Sequence, residues 1–298
     1  MSAPMKFDLD RAEPLGKDTP TPADHAITPR DRRFRQAGGL GRWWLGGDPV
    51  ATAWHTALSV AFPKGETMFI DAVKAFRDDA PPKLEEEIRA FIKQEINHTR
   101  EHLAFNRLAS DAGYDLGGIE AAIDAKLRLT RARPPIANLA ATMALEHLTA
   151  LMARESLENA ALLKGATCEP AELWRWHAIE EIEHKGVAYD TWLHATRDWQ
   201  GAKRWKLKNR MALISTRNFM IGRVCETLEL LRQDGLTGWK WKWRLAAYLL
   251  AKPGIVRRIL PAWFGFFMPG FHPWKGGDRD RALIGKYDSD YGDAVIRD

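Results

Sequence analysis

The chain has 298 residues, of which 45% are hydrophobic, and its formal net charge is +5 at pH 7. This length and apolar content suit one large or two small globular domains and exclude a protein that is intrinsically disordered throughout. The two cysteines, Cys168 and Cys225, lie far apart, which excludes a disulfide framework and a thiolate zinc cluster and indicates a reducing, cytoplasmic compartment.

The first part of the chain, residues 1–48, is rich in proline, glycine and charge. It predicts an extended N-terminal arm that is disordered at its start. No apolar run follows the first residues, so we expect no signal peptide. No uncharged apolar stretch is long enough to predict a transmembrane helix. After this arm, helix patterns dominate and strand patterns are nearly absent.

The first helical segment begins at Asp48-Pro49, which is typical of a helix start, and is predicted to break at Pro63. A second helix starts just after the break and carries Glu66 on its apolar stripe. The clearest helix begins near Lys83, and its buried face follows regular steps of three and four residues. Three polar side chains occupy the middle of that face: Glu95, His98 and His102.

Further helices follow in the same style. Residues 119–132 predict an amphipathic crossover helix, and the next helix, from Ile136 to Leu157, carries Glu146 on its buried stripe. One more helical face runs from Leu173 to Thr191. That face holds several residues that could bind metal: His177, Glu180, Glu181 and His184.

Composition divides the chain into three parts: the arm (1–48), a metal-binding bundle (49–198) and a basic, tryptophan-rich helical region (199–298). Between residues 200 and 275, fifteen Lys/Arg stand against three Asp/Glu. The segment 238–275 alternates tryptophan with basic residues, which is typical of peripheral membrane contact. A subdomain whose tryptophans pack on the bundle also explains the pattern and is slightly favoured. No DNA or RNA motif is present, so no nucleic-acid partner is expected.

Four successive helices each place an acidic residue at the centre of an apolar face. Buried carboxylates and imidazoles are costly unless they are paired or bind metal. A Glu-x-x-His sequence puts both side chains on neighbouring turns of one face. One lone glutamate on each of two helices, with Glu-x-x-His on each of the other two, is the ligand set of a dinuclear carboxylate centre. The predicted ligands are Glu66, Glu95, His98, Glu146, Glu181 and His184.

The spacing of these ligands agrees with a bundle. Glu66 and Glu95 are 29 residues apart, and Glu146 and Glu181 are 35 apart, which suits two helical hairpins. The 51 residues from Glu95 to Glu146 suit a long crossover. The predicted fold is therefore all-α, a ferritin-like four-helix bundle with a long crossover and extra C-terminal helices.

Four neighbouring residues have two interpretations each. His102 and His177 lie one turn from a ligand, so each is an additional ligand or a hydrogen-bond partner of one. Glu180 competes with its neighbour in sequence as ligand, because an i, i+4 pairing with the following histidine is also feasible. His147 follows a ligand directly and points about 100° away around the helix, which favours packing.

Several sequence blocks resemble the bacterial family of predicted metal-dependent hydrolases, whose motifs look ferritin-like. They are "LSVAFPKGETMF", "FIKQEINHTREH", "LEHLTA" and "LWRWHAIEEIEHKGVAYD", and the resemblance extends over about residues 28–275, including "FHPW". It implies a metal site at the same six ligands more firmly than it implies hydrolysis.

The donor set of four carboxylates and two imidazoles suits iron or manganese better than copper. Analogy with other ferritin-like sites favours a di-iron, dioxygen-dependent oxidase or oxygenase that acts on a small apolar or lipophilic molecule and needs an electron donor. Manganese or a mixed iron/manganese pair is the variant of this interpretation.

Two alternatives stay open. One is a binuclear hydrolase of an ester or amide, using zinc or manganese, because paired ions also activate water. The other is a non-catalytic iron-binding protein. A homodimer is compatible with either. Aromatic and methionine side chains on the predicted stripes are candidates for a substrate pocket: Phe62, Phe69, Phe91, Phe105, Met143 and Trp176.

Overall fold

The computed structural model describes residues 21–34 and 39–291. Within these ranges the chain is all-helical, and β geometry is confined to one isolated bridge between Leu45 and Ala166. The all-α prediction is confirmed. The disorder predicted at the start of the arm falls on residues 1–20, which lie outside the described residues.

The helices follow one another with short connections. In chain order they are α1 (Pro49–Lys74), α2 (Pro82–Asp111), α3 (Gly117–Arg131), α4 (Pro135–Glu158), α5 (Cys168–His184), α6 (Val187–Ala195), α7 (Gly201–Gln233), α8 (Trp239–Leu250), α9 (Ile255–Gly265) and α10 (Asp278–Tyr291).

Two helical hairpins form a four-helix bundle. In one hairpin α1 packs along α2, and in the other α4 packs along α5. The hairpins meet where α1 contacts α4 and α2 contacts α5. The helix α3 connects α2 to α4 and packs on α1, so it is the predicted crossover. Outside the bundle, α7 covers the groove between α1 and α4.

The interior of the bundle follows the periodicity of the sequence. The face of α2 predicted to be buried is fully enclosed, with every member at most 1% exposed: Leu84, Ile88, Phe91, Glu95, His98, His102, Phe105 and Ala109. A helix buries such a stripe because side chains three and four residues apart share one face. Polar residues on this stripe are therefore forced into the interior.

The helix α1 runs through Pro63 without ending, so the predicted break there is wrong. Proline has no N–H and leaves the carbonyl four residues earlier without its helical partner. That carbonyl belongs to Ser59, and the Asn106 side chain of α2 donates to it at 3.2 Å. The neighbouring helix thus supplies the hydrogen bond that the proline removes.

The face predicted to be continuous from Leu173 to Thr191 is interrupted between α5 and α6, at Gly186. A Cβ at Gly186 would lie 2.8 Å from Thr21 Oγ1 and 2.9 Å from Trp274 Cδ1. No side chain fits there, because the N-terminal arm and the segment before α10 both approach the backbone. Glycine at this position lets three distant parts of the chain meet.

Among the described residues, α4 is the one helix that is long and apolar enough to span a membrane by length and composition. Its most apolar window has a mean hydropathy of 1.3, and 78% of that window is buried inside the protein. Contacts with α1, α5 and α7 surround this helix and explain its apolar character.

The basic C-terminal region lies against the bundle and also presents apolar side chains outward. The helix α8 contacts α1, α7 and α9, and α9 contacts α4. Three aromatic side chains remain largely exposed: Trp239 (69%), Trp243 (57%) and Phe264 (54%). Membrane contact through 238–275 stays a prediction, as does the division of the chain into three domains.

Candidate metal centre

Acidic and imidazole side chains from all four bundle helices converge in the interior. The six ligands predicted from sequence are buried, each at most 4% exposed. Ligand atoms form two groups in which all atoms lie within 4.8 Å of one another: Glu66, His98 and His177 in one, and Glu95, Glu181 and His184 in the other. The sixth predicted ligand, Glu146, joins them through its Oε2, which lies 3.3 Å from His184 Nε2.

Two carboxylates lie between two imidazoles. His98 Nδ1 is 3.8 Å from both Glu95 Oε2 and Glu181 Oε1. His184 Nε2 is 3.4 Å from Glu95 Oε1 and 3.6 Å from Glu181 Oε1. Glu95 and Glu181 would therefore be among the residues that hold a metal pair, if one binds here.

The donor atoms that face one another lack hydrogen-bond partners. They are Glu66 Oε1, both oxygens of Glu95 and of Glu146, Glu181 Oε2, His98 Nδ1, His177 Nε2 and His184 Nε2. A buried polar atom without a partner costs about 1–3 kcal/mol, so a group of them is unfavourable in a protein interior. Metal ions satisfy oxygen and imidazole donors of this kind, and the residues present therefore fit a dinuclear centre.

Each of the three imidazoles uses its other nitrogen in a hydrogen bond. The three pairs are His98 Nε2 with Glu180 Oε2 at 3.0 Å, His184 Nδ1 with Gln94 Oε1 at 3.0 Å, and His177 Nδ1 with His102 Nε2 at 2.8 Å. Bonds of this type fix the tautomer and the ring orientation of metal-binding histidines. The free nitrogens are held facing the other donors.

A model of the family described as predicted metal-dependent hydrolases matches residues 28–277. The chain belongs to this family. The match begins in the arm beside the centre and continues through every helix of the bundle. No curated protein and no solved structure shows a significant match to the chain.

In this member of the family of predicted metal-dependent hydrolases, the two histidines with open interpretations take different positions. His102 has both nitrogens engaged, since Nδ1 lies 2.9 Å from Ser59 Oγ and Nε2 meets His177. His177 Nε2 lies 3.1 Å from Glu181 Oε1 without hydrogen-bond geometry. His177 therefore lies among the candidate ligand atoms, and His102 lies behind it.

The other two open residues lie outside the group of donor atoms. Glu180 accepts the backbone N–H of Arg30 at 2.7 Å on Oε1 and meets His98 on Oε2. It is thus a partner of a candidate ligand. The ring of His147 packs against Phe271 with a centroid separation of 4.9 Å, in keeping with the packing role that its direction on the helix favours.

Sequence reasoning missed several residues that hold the donors and their partners in place. Thr99 Oγ1 donates to Glu66 Oε2 at 2.7 Å, and Gln94 Nε2 donates to Glu183 at 2.9 Å. Arg30 of the arm donates to both oxygens of Glu183 at 2.6 and 3.0 Å. Thr99 and Gln94 adjoin candidate ligands on α2, which is a usable signal. Arg30 comes from a segment without periodicity and offers none.

Burial shifts the pKa of most donors in the centre, whereas at His184 the neighbouring carboxylates Glu146 and Glu181 outweigh burial and raise the pKa. Burial raises the pKa of Glu66 and Glu95 well above the usual value, and repulsion between neighbouring carboxylates raises it further. Burial also raises the pKa of Glu146 to about 7. Burial lowers the pKa of His98 to about 3 and that of His177 to about 4, so both are neutral, the form that binds metal.

Two cavities reach the centre from different sides. A cavity of ≈ 150 Å³ among α1, α3, α4 and α7 has Glu66 in its wall. A smaller one of ≈ 30 Å³ is lined by His177 and Glu181. Phe62 and Thr149 line both cavities and so lie between them.

Proposed function

We propose that the protein is a binuclear metal-dependent hydrolase that cleaves an ester or amide bond in a small organic molecule. The supporting observation is the convergence of partnerless donor atoms from four helices in a chain of this family. When bound, two divalent ions supply Lewis acidity and an activated water. Four carboxylates balance the charge of two such ions, so the loaded centre would carry no large net charge.

The proposed ligands are the six predicted from sequence together with His177, which the sequence left open as a ligand or a hydrogen-bond partner. All of them present a nitrogen or oxygen atom without a hydrogen-bond partner to the same region of the interior. The complete set is Glu66, Glu95, His98, Glu146, His177, Glu181 and His184.

Glu66 lies between the metal centre and the larger cavity. It lines that cavity, its Oε2 is held by Thr99, and its Oε1 has no partner. Oε1 is the atom that would bind a metal ion, and Glu66 would then position that ion beside the space that a substrate can enter.

The hydrogen bonds behind the imidazoles keep the centre rigid. Ser59 and His102 orient His177, and Gln94 orients His184. A preorganised site loses little free energy to reorganisation when charge develops on the substrate. Burial of the donors also keeps bulk water away from the reacting bond.

The test is turnover without oxygen. Metal-free protein is loaded with zinc or manganese under anaerobic conditions and assayed against small nitrophenyl esters and anilides. We expect hydrolysis that disappears in Glu66→Gln and persists in Glu86→Gln, a matched change at an exposed position on α2. Absence of hydrolysis with either metal, across the whole panel, would contradict the proposal.

An oxidative di-iron enzyme is the second candidate, and the donor set favours it. Four glutamates with Glu-x-x-His on two helices of a bundle is the set that di-iron carboxylate proteins use. This candidate requires iron, dioxygen and an electron donor. Oxygen consumption by the reduced iron-loaded protein, together with no hydrolysis by the zinc-loaded protein, would select it.

A further inference from the structure

The cavity of ≈ 150 Å³ beside Glu66 has walls of two kinds. The helices α1 and α4 contribute a mainly apolar wall that includes Phe62, Met68, Phe69, Ala141 and Leu145. The opposite contributors, α3 with the residues just after it and α7, bring three cations: Lys126, Arg133 and Arg223. Among the described residues that line the cavity, Glu66 is the one carboxylate, and it belongs to the metal centre.

One acidic side chain, Glu226, is shared by two of these three cations. Arg223 pairs with Glu226 at 2.5 Å, and Lys126 Nζ lies 3.8 Å from the same carboxylate. Within residues 21–34 and 39–291, the Arg133 guanidinium has no ion pair or hydrogen bond to a side chain. The cavity therefore keeps an excess of positive charge beside an apolar wall.

The size and the charge together restrict the ligand. A cavity of this volume accommodates a body of about the size of benzene. Arg133 is partly exposed, and an uncharged ligand that displaced water from it would offer its guanidinium no ion pair. An anion would pair with it through charge-assisted hydrogen bonds, which guanidinium makes to carboxylate in a two-pronged geometry.

We infer that this cavity binds a small apolar molecule that carries a carboxylate or a similar anionic group. Arg133 and Lys126 hold the anionic group, and the apolar body lies along α1 and α4 towards Glu66. Calling this molecule the substrate rests on the proposed function; the binding site itself does not. The sequence led us to expect a small apolar or lipophilic substrate, and this inference restricts that class to molecules that carry an acidic group.

The experiment compares three probes that share one apolar body. Phenylacetate, phenylacetamide and 2-phenylethylammonium are titrated into the zinc-loaded full chain by calorimetry. We expect phenylacetate to bind at least about tenfold more tightly than the other two, the scale of one charge-assisted pair. Arg133→Gln should remove most of that preference, whereas Arg131→Gln, at an exposed position that does not line the cavity, should leave it.

Two further measurements distinguish binding in the cavity from binding to the metal ions. If the carboxylate bound the metal ions alone, its affinity would vanish in metal-free protein and ignore Arg133→Gln, which would overturn the inference. Equal affinity for all three probes would overturn it as well. Leu145→Trp fills the cavity and should weaken every probe while the melting temperature shows that the chain still folds.

These outcomes are distinct from those of the proposed function. Retained anion preference without hydrolysis would reject the hydrolase and leave the acid-binding cavity in place. Hydrolysis with no anion preference would do the reverse.

Discussion

The two helical hairpins contribute differently to the centre, although their motifs look equivalent. The α1–α2 hairpin brings Glu66, Glu95 and His98, and the α4–α5 hairpin brings Glu146, Glu181, His184 and the additional His177. Both hairpins carry an extra histidine one turn from the motif. On α5 this histidine faces the donors, and on α2 the corresponding His102 stands behind it.

The difference shows how the hairpins depend on each other. Each of the helices α2 and α5 orients imidazoles of the other: Gln94 and His102 of α2 hold His184 and His177 of α5, and Glu180 of α5 holds His98 of α2. Neither hairpin can therefore form its half of the centre alone. Mutations in one hairpin should appear as metal-binding defects of the other.

The largest expected effect follows from removing a shared donor and an imidazole, one from each hairpin. Glu95→Ala with His184→Ala should lower the metal content of reconstituted protein from two ions per chain to less than one, measured by elemental analysis. Metal-free protein should also melt lower than loaded protein, since metal at a thousand times its dissociation constant adds about 4 kcal/mol. Two ions retained by the double variant would contradict the assignment.

The second prediction follows from the different positions of His177, a candidate ligand, and His102, its hydrogen-bond partner. His177→Ala should weaken metal binding by more than about a hundredfold, because a ligand is lost. His102→Ala should weaken it by about ten- to a hundredfold, the usual effect of losing a partner of a ligand. Competition with a chromophoric chelator measures both. A larger loss for His102→Ala would reverse the comparison between α2 and α5.

Acid should release metal through Glu146 of the second hairpin. Its folded pKa is raised to about 7, so below that pH the metal-free protein holds a proton that metal must displace. Displacement of this one proton should therefore lower the affinity about tenfold for each unit of pH below 7, and the protons held by Glu66 and Glu95 add to the dependence. The same shift means that the Glu146 carboxyl stabilises the metal-free fold at low pH, a contribution that is lost as the pH rises through 7. Chelator titrations on either side of this pKa test the slope, and an affinity independent of pH would contradict it.

The smallest effect is expected from removing the hydrogen bond between Gln94 of α2 and His184 of α5, which joins the two hairpins. Gln94→Leu removes the acceptor for His184 Nδ1 and should cost about tenfold in metal affinity. Lys93→Leu, next to it on α2, is the matched control. If the two variants bind metal equally, α2 does not orient the imidazole of α5.

Sequence periodicity was sufficient to predict the bundle, the crossover helix and the six residues that converge. Those residues lie on stripes with helical spacing, and the buried stripe of each helix faces the interior of the bundle. The roles of His177 and His102 could not be separated in this way, because each lies one turn from a motif. The contact that distinguishes them joins His102 Nδ1 to Ser59 Oγ of a different helix, which the pattern within one helix cannot predict.

The other features that the sequence did not predict also depend on contacts between distant segments. The continuation of α1 through Pro63 depends on a side chain of α2, and the interruption after α5 depends on Thr21 and Trp274 approaching Gly186. Arg30 reaches the centre from a segment without a regular pattern. Local propensity carries no information about such contacts.

The proline in α1 has a mechanical consequence for the centre. Pro63 removes one backbone hydrogen bond just before the turn that carries Glu66, and Asn106 replaces it from α2. Asn106 also accepts from Ser59 Oγ, which contacts His102. The backbone of α1 at Pro63 is thus connected to the hydrogen-bonded histidines through the side chains of Asn106 and Ser59. Any tilt of the Glu66 turn about Pro63, as a ligand enters the larger cavity, would be transmitted to the histidines on the far side.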